Sequence, residues 1–197
     1  SDADEIKAGA ILEREKKLRA LLFLGGRYDY TPAELSLIGV PYVCCSYSNC
    51  FGTLREEDFS SVTVDDHKTA YQAVESLAAE PGGCFEMRES STGMCRLIDS
   101  GADFSAVFTL SDTMAISAMK ALEDRGRRVP EDCSVIAIDG LTVSEYVSPT
   151  LSTLVQPAEE MGRESVRILL DILDNGGANR HVRLEAKIRP GASVKQL

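Results

Sequence analysis

Three aspartates stand where a carboxylate could move a proton or hold a cation. Asp65 opens one helix-like stretch, Asp112 lies one residue inside another, and Asp139 directly follows the run Ser134-Val-Ile-Ala-Ile138. An acid that closes a buried strand needs hydrogen-bond partners from protein or ligand, because an isolated buried charge is costly. Acid–base or metal chemistry on these aspartates would need helpers, and the chain has few. Its two histidines, His67 in a helix's first turn and His181 at a strand start, occupy positions typical of solvated side chains. Asp65-Asp66 is accounted for by capping and by the favourable placement of acids at a helix N-terminus. Gly25-Gly26 after an apolar run has the composition of a turn. No phosphate-loop, dinucleotide-fingerprint, zinc-protease or serine-hydrolase motif is present. The six cysteines, at 44, 45, 50, 84, 95 and 133, contain no C-x-x-C pair. They read as reduced, buried thiols, with Cys44 and Cys45 on opposite faces of a strand. An enzyme, a metal site and a cofactor are not expected.

The elements that must position these residues alternate between short β-like runs and helices from Leu18 onward. Strands are expected over 19–24, 40–45, 61–64, 106–110, 134–138 and 151–155, with an alternating edge-type strand over 182–188. Thr31-Pro32 caps a short helix through Leu37. A helix follows Asp65-Asp66 to about Ala79, and another spans Phe85 to Ile98 with its middle weakened by Ser90-Ser-Thr-Gly93. Ser111 is the N-cap of a helix with the stripe Ala115, Ala118, Met119 and Leu122, ended by Gly126. Pro157 opens a long helix that Asn175-Gly-Gly177 stops. Such alternation means an α/β fold with largely parallel sheet. With a net charge of -10, the chain is not expected to hold nucleic acid by itself. No apolar run approaches the ~20 residues of a membrane span, and the acidic start Ser1-Asp-Ala-Asp-Glu5 is no secretory signal.

Two longer stretches carry more specific information. One runs Ser111-Asp-Thr-Met-Ala115, then Gly126-Arg-Arg-Val-Pro-Glu-Asp-Cys-Ser-Val-Ile-Ala-Ile-Asp139. The other is Pro149-Thr-Leu-Ser-Thr-Leu-Val-Gln-Pro-Ala-Glu-Glu-Met-Gly162. In order and spacing they resemble the effector-binding domain of lac-repressor-type (LacI/GalR family) transcriptional regulators, over Ala102 to Arg189. The resemblance implies a periplasmic-binding-protein-like I fold, with two parallel-sheet Rossmann-like subdomains and a ligand cleft between them. The expected division is 1–80 and 81–197, with crossover segments near 81–84 and 146–157. By the same resemblance Phe85 stacks on the effector, Asp139 accepts hydrogen bonds from it, and Ser111, Asp112 and Gln156 lie nearby. Ser46 and Tyr47 stand where the family often has Asp-Arg, so they complete the expected effector set. The dimer interface is expected at Ile116, Lys120, Tyr146 and Val147.

Other family parts are not found in this sequence. No helix-turn-helix headpiece is present, so operator DNA is expected to be read only by a headpiece outside it. Between Glu80 and Pro81 the family has a Gly-His turn, a strand and a helix, where this chain passes directly to Pro81-Gly-Gly83. The expected function is cytoplasmic sensing of a small polar effector, carbohydrate or nucleoside-like, by a homodimer that does not engage a membrane. Two rivals stand beside it. One is a solute-binding protein of a sugar transporter; the other is a small α/β enzyme built on Asp65, Asp112 and Asp139.

Overall fold

The computed structural model describes residues 5–26, 29–46, 53–65, 68–69, 73 and 90–195. Its contacts form two units: Ser1–Val64 with Pro157–Leu184, and Asp65–Gln156 with Glu185–Leu197. A division at 80/81 is therefore not what the contacts give. The long helix after Pro157 returns to the first unit, because its Met161 and Ile168 are buried against Val43, Cys45, Val62 and Val64 there.

In the first unit, α1 (Glu5–Lys16) precedes β1 (Leu21–Leu24), α2 (Pro32–Leu35), β2 (Tyr42–Cys45) and β3 (Ser60–Val64). After the crossing come α5 (Ala158–Asn175) and β7 (His181–Leu184). The strands form one parallel sheet in the order β1-β2-β3-β7. Thr31 caps α2 in a capping box with Glu34, and Gly176 ends α5 in the left-handed conformation at φ 64°. Cys44 packs on one face with Ile6, Ala10 and Tyr30, while Cys45 packs on the other with Met161 and Ile168. That is the period of two expected of adjacent strand residues.

The second unit holds α3 (Ser90–Asp99), β4 (Ala106–Thr109), α4 (Asp112–Asp124), β5 (Ser134–Asp139), β6 (Ser152–Val155) and β8 (Lys187–Arg189). Its sheet runs β4-β5-β6-β8, parallel except for the antiparallel β6–β8 pair. The α4 stripe of Ala115, Ala118, Met119 and Leu122 is buried with Met94, Val107 and Val135.

Two elements depart from the sequence expectation. α1 was not legible, because Ile6, Gly9 and Ala10 face inward while Ile11 and Leu12 stay exposed, so no single apolar stripe marks it. The strand expected over 182–188 is two strands, because β7 ends at Leu184 in one sheet and β8 pairs with β6 in the other. Of the helix expected over 85–98, Ser90 to Ile98 are helical as part of α3, and 85–89 lie outside the described residues. Of the helix expected after Asp66, residues 68, 69 and 73 are helical, and the rest lies outside the described residues.

Burial pushes the Cys44 thiol up to about 12 and the Cys133 thiol up to about 11. Both thiols therefore stay protonated in mildly alkaline buffer. Iodoacetamide followed by peptide mass mapping should leave both unmodified in the native protein and label them fully in denaturant. Native-state labelling would contradict this packing.

Candidate functional site

β5 lies between β4 and β6, with Thr109 beside Ala137 and Val155 beside Asp139. Continuing that register by two residues along β4 brings Ser111 to the same edge as Asp139, with Gln156 one residue past Val155. Three expected site residues thus meet at the carboxyl edge of one parallel sheet, where open α/β sheets take their ligands. The Ser111 hydroxyl accepts the Met114 N–H at 3.2 Å and caps α4.

Asp139 is half-buried and has φ 127°, in a region that an L residue occupies only under strain of about 1–3 kcal/mol. Gln156 Nε2 donates to its Oδ1 at 3.0 Å, and the backbone N–H of Asp112, at the start of α4, also donates to the carboxylate. Its pKa is raised, first by burial and then by the Asp112 carboxylate, against the opposing effect of those two donors. Gly140 follows with φ 77°, and a Cβ there would sit 2.7 Å from the Val155 backbone, so only glycine fits this turn.

Asp112 has a different place from the one expected of an effector contact. It is wholly buried, and its carboxylate accepts the Leu141 N–H at 2.6 Å and the Thr153 hydroxyl. A side chain with no exposed surface does not touch a ligand in this conformation; Asp112 instead acts on the turn that carries Asp139. Thr153, which the sequence reading passed over, also accepts the Gly140 N–H at 3.3 Å. Its neighbourhood in the Ser152-Thr153 pair of the second long stretch was the available signal. Ser46 is exposed at φ 57° just after β2, in the first unit. Tyr47 and Phe85 lie outside the described residues.

Three of the four expected interface residues, Ile116, Lys120 and Val147, line one open groove of about 550 Å3 in the second unit. Tyr146, the fourth, follows the 3-10 turn Thr142–Glu145 and is 81% exposed. The nearby basic residues are all engaged. Arg125 pairs with Asp99, Arg127 lies 4.2 Å over the Phe104 ring, and Arg128 pairs with Asp132, whose carboxyl it holds down at about 2. Among the described residues no three His, Cys, Asp or Glu side chains converge as a metal site requires.

The model of the periplasmic binding protein-like domain matches residues 44–194. The chain belongs to this family. Among curated proteins it is 29% identical to the HTH-type transcriptional regulator MalR of Clostridium butyricum, over 89% of this chain and 64% of that one. It is 37% identical to the HTH-type transcriptional repressor MelR of Bacillus subtilis, over 67% of this chain and 39% of that one. Both are lac-repressor-type regulators, and the chain spans less than two thirds of either. The MalR alignment covers 216 positions, more than the 197 residues of this chain, so MalR has residues inside the match that are missing here. A LacI family regulator from Enterococcus faecium, solved with bound ribose, has the same fold at TM-score 0.78 and 21% identity, covering 100% of this chain and 86% of that one.

For this periplasmic-binding-protein-like domain, the raised Asp139 pKa has a definite sign. The folded state holds this proton more tightly than the unfolded chain, so the associated stability is complete below the unfolded value of about 4 and is lost as pH rises through the folded value. Asp139→Asn, uncharged throughout, should equal or exceed the parent in urea stability at neutral pH, with the gain vanishing in acid. A clear loss of stability at neutral pH would contradict the burial account.

Proposed function

We propose that this chain is the sugar-sensing part of a cytoplasmic, lac-repressor-type transcriptional regulator. Its ligand binds at the carboxyl edge of the β4-β5-β6 sheet, with Asp139 accepting hydrogen bonds from ligand hydroxyls and Ser111 and Gln156 beside it. The observation that carries the reading is Asp139 itself: a half-buried carboxylate, in strained backbone, at the edge where such sheets take ligands. Strain kept at one position beside a charge that burial disfavours fits a residue retained for binding rather than for folding. The regulator names of the curated relatives favour this reading over a transporter component. A bound sugar shifts the population between states that differ in affinity for operator DNA, which a headpiece beyond these residues reads.

The regulator acts as a homodimer through the groove beside α4. Tyr146 is an exposed aromatic next to an open groove lined by Ile116, Met119 and Val147. A two-fold pairing lets each copy's Tyr146 fill the other's groove, since the same patch must meet itself.

Thermal-shift screening with ribose, glucose, sucrose and cellobiose, followed by calorimetry, tests the ligand. At least one sugar should bind, and Asp139→Ala should weaken it by tenfold or more, in line with about 1.5–3 kcal/mol for a charged hydrogen bond. Unchanged affinity in a folded variant removes Asp139 from the site. For the dimer, sedimentation should show two copies for the parent and one for Val147→Glu. A monomeric parent at micromolar concentration contradicts the pairing.

A further inference from the structure

The turn after Asp139 is held from a second side by one arginine. Arg189 ends β8 directly opposite Thr153 in the β6–β8 register. Its Nη1 donates to Glu145 Oε1 at 2.6 Å and to the Gly140 carbonyl at 3.4 Å. Its Nη2 donates to the Leu141 carbonyl at 3.0 Å and to the Ser144 hydroxyl. Ser144 is wholly buried, and its own hydroxyl donates to the Leu141 carbonyl. Asp112 and Thr153 take the N–H groups of Leu141 and Gly140, while Arg189 takes their carbonyls. Gly140 and Leu141, the two residues after Asp139, are therefore each bracketed at both the N–H and the carbonyl. A planar guanidinium can reach these four acceptors at once; an ammonium on a flexible stem cannot.

We propose that Arg189 is a positioning residue for the Asp139 site: it holds the Gly140–Glu145 turn so that Asp139 keeps its strained, half-buried conformation. This rests on the proposed ligand role of Asp139, and it makes a claim that can be read without any ligand. If the bracket opens, the turn relaxes and Asp139 gains water. Its titration midpoint then falls from its raised position toward that of an ordinary aspartate. The groups acting on Asp139 are the Asp112 carboxylate, the Asp112 N–H and Gln156. Arg189 is not one of them, so a substitution that keeps its charge acts on Asp139 through the turn.

The experiment follows the Asp139 carboxyl carbon by 13C NMR across pH in the parent, in Arg189→Lys and in Glu145→Gln. Lysine keeps the charge without the fork; the glutamine removes only the outer ion pair. The midpoint should fall in Arg189→Lys and stay in Glu145→Gln. An unchanged midpoint in folded Arg189→Lys overturns the proposal, even if the melting temperature drops, because that is what a merely structural arginine would give. Ribose calorimetry is the second arm. If ribose binds the parent, Arg189→Lys should weaken it about tenfold, and a lowered midpoint with unchanged affinity also overturns the positioning role. If ribose and the other sugars fail to bind the parent, the sugar-sensing reading fails, and the NMR arm alone decides the role of Arg189.

Discussion

Asp112 has no exposed surface, and its carboxylate is taken up by the Leu141 N–H and the Thr153 hydroxyl. A carboxylate in that position cannot be left half-satisfied, since a hydrogen bond to a charged group is worth about 1.5–3 kcal/mol. The first residue of α4, the middle of β6 and the turn after β5 are consequently tied to one group. The turn has little room to respond otherwise. Gly140 approaches the Val155 backbone too closely for any side chain. Asp139, one residue earlier, is carried into positive φ by this arrangement. Its strain and its burial are two results of the same constraint.

That constraint joins the two surfaces for which a function is proposed. The chain leaves Asp139, passes through the 3-10 turn Thr142–Glu145, and reaches Tyr146 and Val147 within a few residues. A segment held at both carbonyls and both N–H groups transmits a displacement along its length better than a solvated loop, because packed and hydrogen-bonded elements have few intermediate arrangements. Leu151 N donates to the Ser144 carbonyl at 3.0 Å, so the far end of the loop is fastened to the start of β6 as well. The proposed sensing edge and the proposed association surface lie on one braced segment, which is the physical route by which the two would be coupled.

Much of this was written in local chemistry that a sequence displays. Thr31, Ser111 and Gly176 declare helix ends through their own side chains or the lack of one, and each stands where the spacing put it. Cys44 and Cys45 divide between two cores as a strand requires. The carboxyl edge bearing Ser111, Asp139 and Gln156 followed from strand order. What was not legible depends on partners far apart in sequence. Asp112 was expected near the effector because the resemblance set it beside Ser111 in Ser111-Asp-Thr-Met-Ala115; the partners that take up its carboxylate, Thr153 and Leu141, are brought to it only by the fold. Arg189 stood just past an alternating run and had no visible reason to be special. The run itself concealed a passage between two sheets, because Val182 to Ile188 keeps a period of two across the break at Glu185 and Ala186. α1 was hidden by the spread of its apolar residues around the helix.

The central claim is that a sugar binds at the carboxyl edge of the β4-β5-β6 sheet. A crystal structure of the protein soaked with the sugar that gives the largest thermal shift tests it most directly. The account predicts ligand hydroxyls within hydrogen-bond distance of the Asp139 carboxylate, with Ser111 and Gln156 beside them and Asp112 still buried. Sugar bound instead in the groove beside Ile116 and Val147, with the Asp139 edge empty, would contradict it.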